Sequence, residues 1–242
     1  MYEFKYRIKR HLQFSNKELR DLGIALLIVA FIFAYDDKSE VFIASHWIAN
    51  FFKILFMIFI TFLVHELGHK IFALYMGMHA YFRVWPLGLF LGAVVAFISG
   101  GVVPLILPGR VEMKINTLNR LGHFRYGRNL FTGGFIAMAG PVANLLFATF
   151  FKTLSLFGIA VEFFDQLTFI NLYYAVFAML PLHMTDGVHM FYASRNWYVI
   201  IFASLVGYIL LYMLQIYSLI FALLIGLAAW FLFYYFFESQ VT

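Results

Sequence analysis

The sequence predicts an all-α polytopic membrane protein with six transmembrane helices and a membrane re-entrant, β-hairpin-like segment between the second and third. Three observations lead to this fold class. The 242 residues are 64% hydrophobic and 12% charged, whereas soluble domains are about half apolar and about a quarter charged. Apolar stretches of bilayer-spanning length recur along the chain. The basic residues gather between alternate stretches, which is the pattern that sets membrane orientation.

The N-terminal residues, 1–20, form a basic segment, and a six-span membrane domain is expected over residues 21–237. The segment carries six Lys and Arg residues directly before the first apolar stretch, and such clusters stay on the cytoplasmic side. A nucleic-acid-binding arm is the alternative, but the segment is short and abuts the bilayer. We therefore expect a multi-pass cell-membrane protein with cytoplasmic N- and C-termini and no nucleic-acid partner.

The first predicted span covers residues 22–35 and the second covers residues 47–77. Between them lies a net-acidic turn, suited to the outer face, that contains Asp36, Asp37, Lys38 and Glu40. The second span has about 31 residues, which exceeds one crossing of roughly 20. Its helix should therefore be tilted or project beyond the bilayer.

Residues 83–109 are apolar enough to form a further span but are interrupted by many glycines and prolines. This composition favours an extended, re-entrant segment over a helix, and such backbone needs protein or water around it at membrane depth. A full crossing is the alternative. It would move the next basic cluster to the outer face, against the usual charge bias; the cluster is Arg110, Lys114, Arg120, Arg125 and Arg128.

Four further spans are predicted, over residues 130–157, 167–182, 197–213 and 215–236. The third span is rich in Gly and Ala, which let membrane helices approach closely. Glu162 and Asp165 mark an acidic outer turn before the fourth span.

A His-Glu-Leu-Gly-His motif lies within the second span, at residues 65–69. On a helix, His65 and His69 face the same side and can ligate one zinc ion. Glu66 lies about 100° round the axis, where a carboxylate can activate a zinc-bound water. The alternative, structural packing of polar residues, is weakened because burying such a cluster in an apolar span is costly.

The third ligand must be His, Asp or Glu, because the chain has no cysteine. Asp186 follows the inner end of the fourth span, at the depth of the two histidines, whereas Glu162 and Asp165 belong to the opposite face. Asp-Gly is also a common turn dipeptide, and His183 and His189 could compete as ligands. Asn144 either bonds between helices or donates to a peptide carbonyl near the metal.

Three ordered motifs together resemble the site-2 protease family of intramembrane zinc metalloproteases. They are the motif at 65–69, Gly-Pro-Val-Ala-Asn at 140–144, and Pro181 followed by Thr-Asp-Gly at 185–187. The outline is similar to compact prokaryotic-type members without PDZ or CBS domains.

The resemblance implies regulated intramembrane proteolysis of transmembrane-segment substrates in the lipid bilayer. It also implies one Zn²⁺ per chain on His65, His69 and Asp186, with Glu66 as the base and Asn144 beside the substrate backbone. The re-entrant segment would hold an unwound substrate by strand pairing.

The chain departs from the family at two positions, since Ala178 replaces an asparagine and Thr185 a leucine. These departures bear on substrate orientation more than on metal binding. Two other functions remain open from the residues alone: a divalent-metal carrier that uses the same ligands, and a membrane scaffold without proteolytic activity.

Overall fold

A computed structural model describes residues 2–36, 42–115 and 129–239, and most of them are helical. The chain divides into two compact units, Met1–Thr117 and Leu118–Thr242. Parts of two sequence predictions lie outside the described residues. These are most of the acidic turn, with Asp37, Lys38 and Glu40, and most of the basic cluster, with Arg120, Arg125 and Arg128.

Within its described residues, the first unit has four helices and two strands. In chain order they are α1 (Tyr2–His11), α2 (Asn16–Ala34), α3 (Ala44–Tyr75), β1 (Met78–Val84), α4 (Pro86–Ile98) and β2 (Gly109–Ile115). Helix α2 begins at a capping box, because the Ser15 hydroxyl accepts from the Glu18 amide while the Glu18 carboxylate accepts from the Ser15 amide.

The two strands pair antiparallel, with Met78 opposite Ile115 and Val84 opposite Gly109. A two-stranded sheet is marginal alone, and here β1 also packs against α2 and α3. Both ends of the apolar segment between the strands therefore join a sheet that packs against helices.

The prediction of extended backbone over residues 83–109 is wrong for α4. Pro86 is the first residue of this helix, where its fixed φ is already helical. The glycines serve close packing: a Cβ on Gly88 would lie 2.4 Å from the Leu107 carbonyl oxygen, and one on Gly92 would lie 2.3 Å from that of Leu105. They let the returning chain pass directly over the helix. Re-entry into a membrane stays a prediction.

Over the residues that the structure describes, the second unit is built from five α-helices and a final π-helical turn. They are α5 (Leu130–Leu156), α6 (Val161–Ala178), α7 (Asp186–Ala193), α8 (Arg195–Met213), α9 (Leu219–Phe233) and the turn Tyr234–Glu238. Helix α5 packs along α6 and α7, and α8 packs along α9. A core of buried apolar side chains joins them, including Leu145, Leu172, Met179, Met190, Leu205 and Tyr208.

Helices α8 and α9 approach closely through small residues. A Cβ on Gly226 would lie 2.0 Å from Ser204 Oγ and 2.5 Å from the Ile200 carbonyl oxygen, which only glycine permits. At the end of the pair away from the connecting loop, the Asn196 side-chain amide donates to Glu238 at 2.9 Å, and its oxygen accepts from Trp230 Nε1 at 3.1 Å.

Four helical segments of the described chain are long and apolar enough to cross a membrane: Ala44–Tyr75, Leu130–Leu156, Arg195–Met213 and Leu219–Glu238. They indicate a membrane protein. The predicted spans at 22–35 and 167–182 overlap α2 and α6, which are helical but are not among the four. The six-span count stays a prediction.

Candidate metal centre

The two histidines of the motif lie one turn apart on α3, and both are buried, with exposures of 2% for His65 and 0% for His69. Their Nε2 atoms are 3.0 Å apart, and their rings meet edge to face. Two nitrogen ligands of a tetrahedral zinc, each about 2.0–2.1 Å from the metal, lie about 3.3 Å apart. The pair therefore fits a shared zinc ion.

Glu66 is also buried, with 3% exposure. It follows His65 on α3, about 100° round the helix axis from it. That offset directs the carboxylate away from the shared face of the two histidines, as expected for the glutamate of this motif, which acts as a base and not as a ligand.

Lys70, the residue after His69, is an anchor that the sequence analysis missed. Its buried ammonium lies 2.9 Å from the Glu18 carboxylate and donates to the carbonyl oxygens of Gln13 and Ala80, each at 3.1 Å. All three N–H groups have acceptors. Helix α3 is thus fixed to α2 and β1 immediately after a proposed metal ligand.

The Glu18 carboxylate is equally well satisfied. Besides Lys70 and the Ser15 amide, it accepts from the Phe82 amide of β1 at 3.0 Å. Breaking such a buried pair is costly, because the remaining charge has no counterion. A lysine in an apolar helix is itself a signal that a buried carboxylate lies nearby.

In the second unit, Asp186 is the first residue of α7 and is 2% exposed. Gly187 lets α7 begin there: a Cβ at this position would lie 2.1 Å from the Met179 carbonyl oxygen and 2.6 Å from that of Leu180. The Asp-Gly pair therefore places Asp186 against the turn that ends α6. It is more than a solvent-exposed turn dipeptide.

Thr185 closes the loop that leads to Asp186. Its hydroxyl accepts from the Leu182 amide at 3.2 Å and donates to the Leu182 carbonyl oxygen at 2.9 Å. Thr185 thus has a local role, since its hydroxyl holds the turn before Asp186. Of the two alternative ligands, His183 is exposed in this loop and His189 lies within α7, whereas Asp186 is buried.

Asn144 is fully buried in α5, a helix that packs against α7. A second buried asparagine, Asn171 in α6, donates to the Leu167 carbonyl oxygen of its own helix at 2.8 Å. The sequence analysis did not single out Asn171, although a polar residue in an apolar stretch is a signal.

The two carboxylates that the sequence analysis rejected as ligands lie at the start of α6. Glu162 is exposed. Asp165 is held by Lys152 Nζ at 2.7 Å and by the Ser155 hydroxyl at 2.6 Å. Asp165 therefore has a structural role, joining α6 to the end of α5.

The structure places His65, Glu66 and His69 in the first unit, and Asn144 and Asp186 in the second. The two imidazoles and the Asp186 carboxylate are each buried in their own unit, and both are donor types that bind zinc. Hydrolytic zinc sites use such a set and leave a position for water. The helix motif and this donor chemistry define a zinc-dependent hydrolase.

The chain is 33% identical over 203 residues to a protein of Methanocaldococcus jannaschii named "Putative zinc metalloprotease". The match covers 82% of this chain and 95% of that protein. The chain belongs to this family of zinc metalloproteases, and it is an enzyme that hydrolyses peptide bonds. No protein-family model and no solved structure matches it.

Proposed function

We propose that this chain is an intramembrane zinc metalloprotease of the site-2 type, which cleaves peptide bonds within or beside transmembrane helices of membrane-protein substrates. One observation carries the proposal. The buried residues His65, Glu66 and His69 lie within Ala44–Tyr75, a helix long and apolar enough to cross a membrane. A hydrolytic motif has no other evident reason to be placed in such a helix.

The position of the motif along α3 sets its depth. The helix has 32 residues and is about 48 Å long, and His69 lies about 9 Å from its end at Tyr75. The hydrocarbon core is about 30 Å thick, or about 40–45 Å with headgroups. The motif therefore lies in the membrane half near Tyr75, and water for hydrolysis enters from that face.

We assign the zinc ligands as His65, His69 and Asp186, with one ion per chain. When bound, zinc supplies a Lewis acid that lowers the pKa of water to about 7. Glu66 accepts the proton of the attacking water and returns it to the leaving amine. Asn144 donates a hydrogen bond to the substrate backbone, which must unwind because a helix hides its scissile carbonyl.

The test is cleavage of single-span fusion proteins by purified full-length protein, with the zinc content measured in parallel. Glu66→Gln should keep about one zinc per chain and lose cleavage by about 10²–10⁴-fold, the usual contribution of a general base. Asp186→Asn should lose zinc. Glu162→Gln makes the same substitution as Glu66→Gln at an exposed carboxylate, and it should alter neither the zinc content nor the cleavage rate.

Two results would contradict the proposal. Cleavage at the wild-type rate by Glu66→Gln would remove its base. If the protein cleaved soluble peptides but no transmembrane substrate, it would still be a zinc metalloprotease, but the proposed intramembrane role would be wrong.

We also propose that both termini face the cytoplasm and that the chain crosses the membrane six times. Because the chain has no cysteine, single cysteines can be labelled without background. In intact cells, a membrane-impermeant maleimide should label Glu162→Cys and spare Lys5→Cys. Labelling of Lys5→Cys but not of Glu162→Cys would show that the chain has the opposite orientation in the membrane.

A further inference from the structure

The first unit contains a cavity that the proposed chemistry does not use. Its volume is about 250 Å³, and it lies between the α1–α2 connection, the last turns of α3 and strand β1. Typical small-molecule pockets have about 300–1,000 Å³, so this cavity suits a small group. Its polar lining includes Arg10, His11, Ser15, Lys70, His79 and Tyr81.

The lining is rich in donors and carries positive charge. Among the described residues that line it none is acidic, and the lining combines a guanidinium, an ammonium, two imidazoles and two hydroxyls. The rings of His11 and His79 lie 5.0 Å apart, which brings two more nitrogen donors to one wall. Such a lining is complementary to an anion.

The two cations of the lining differ in whether an acidic group already neutralises their charge. The Lys70 charge is neutralised by Glu18, at 2.9 Å, and its three N–H groups are already used. Arg10 is exposed, donates one hydrogen bond to the Tyr6 hydroxyl and lies over the Tyr6 ring. A guanidinium has five N–H donors in a planar fork that matches phosphate, so donors remain for an anion.

The cavity lies at the end of a candidate membrane span. Leu74, which also lines it, is in the last turn of α3, and Tyr75 and Met76 beyond it are exposed. The end of a helix about 48 Å long reaches the headgroup layer, where lipid phosphates lie. The position therefore favours a lipid phosphate as the source of the anion.

We propose that this cavity binds a phosphate group, either that of an anionic phospholipid headgroup or free phosphate, with Arg10 as its principal cation. His11, His79 and the hydroxyls of Ser15 and Tyr81 supply further hydrogen bonds. The site is separate from the proposed metal ligands and does not depend on the protease assignment.

The test uses the full-length protein in nanodiscs of phosphatidylcholine with increasing phosphatidylglycerol, and bound lipid is counted by native mass spectrometry. Arg10→Gln should weaken phosphatidylglycerol retention by about tenfold, as expected for losing a charge-assisted bond. Lys9→Gln removes the same charge from an exposed α1 residue outside the lining, and it should change retention less than twofold. His79→Gln is a second lining variant and should weaken retention in the same direction.

A second arm distinguishes the two sources of phosphate. Inorganic phosphate is titrated in zwitterionic detergent, and thermal unfolding is followed. If inorganic phosphate stabilises the wild type but not Arg10→Gln, while phosphatidylglycerol is not retained, the site binds free phosphate. Equal effects of Arg10→Gln and Lys9→Gln, or no binding of either ligand, would overturn the proposal.

Discussion

Replacing Gly187 with alanine tests whether Asp186 depends on the close approach between α7 and the turn that ends α6. The added Cβ would lie 2.1 Å from the Met179 carbonyl oxygen and 2.4 Å from its carbonyl carbon. These neighbours are backbone atoms and cannot rotate away. Restoring an ordinary contact requires the start of α7 to move by about 1 Å, and Asp186 moves with it.

The magnitude follows from that displacement. Overpacking of this kind costs about 1–3 kcal/mol of stability, and a misplacement of about 1 Å can lower a catalytic rate by about 100-fold. We therefore expect Gly187→Ala to lower the melting temperature, to hold zinc more weakly and to cleave a transmembrane substrate about 100-fold more slowly. Zinc content, thermal unfolding and cleavage are measured on the same preparation.

Gly23→Ala is the matched control. Gly23 lies inside α2 with no atom within 4 Å of an added Cβ, so alanine should stabilise the helix by up to about 1 kcal/mol. The two substitutions are chemically identical and should change the melting temperature in opposite directions. If Gly187→Ala keeps wild-type stability and zinc content, then α7 does not position a metal ligand.

Three further predictions concern individual polar contacts of the described residues. Glu18→Gln should cost about 3–5 kcal/mol in thermal unfolding, because it leaves the Lys70 ammonium buried without a counterion, and adding Lys70→Met should recover part of the loss. The hydrogen bond from Arg83 lowers the pKa of Glu112. The ionised Glu112 carboxylate therefore stabilises the fold above the usual pKa of a glutamate, and this contribution is lost as the pH falls through the lowered pKa. Melting curves between about pH 3 and 6 should then show a shallower acid dependence for Glu112→Gln than for the wild type. Thr185→Val keeps the branched shape without the hydroxyl, and it should lower stability by about 1–3 kcal/mol and reduce zinc content; unchanged zinc would show that the loop does not need this bond.

The sequence was most informative where one residue type has few possible roles. A His-Glu-x-x-His motif fixes two imidazoles on one helix face whatever surrounds them, and α3 indeed buries both histidines. The long apolar helices were predictable for the same reason, since a bilayer leaves few alternatives. Predicted limits for the second and third spans, 47–77 and 130–157, agree closely with α3 and α5.

The segment 83–109 could not be predicted in the same way, because glycine and proline have two opposite uses. They break helices, and they also allow a helix to begin or to pack closely against another chain segment. At Pro86, Gly88 and Gly92 the second use applies. The choice depends on the position of residues 105–107, which no local pattern contains.

The buried pair of Lys70 and Glu18 was missed for a related reason. The two residues are 52 positions apart, so their contact depends on how α2 and α3 pack. Glu18 could be recognised only as a capping-box residue, and that role alone does not predict a second partner.

The closely packed pair of α8 and α9 has a consequence for biogenesis. Only a short connection separates the two helices, and Gly226 allows them to pack closely. At the end away from this connection, Asn196 donates a hydrogen bond to Glu238. Such a pair is suited to leave the translocon as a preassembled helical hairpin, with its internal contacts made before it meets the rest of the protein. This can be tested with nascent chains stalled on the ribosome, in which residue 238 is followed by a linker long enough to span the exit tunnel. We expect α8 and α9 of such chains to be cross-linked to each other already.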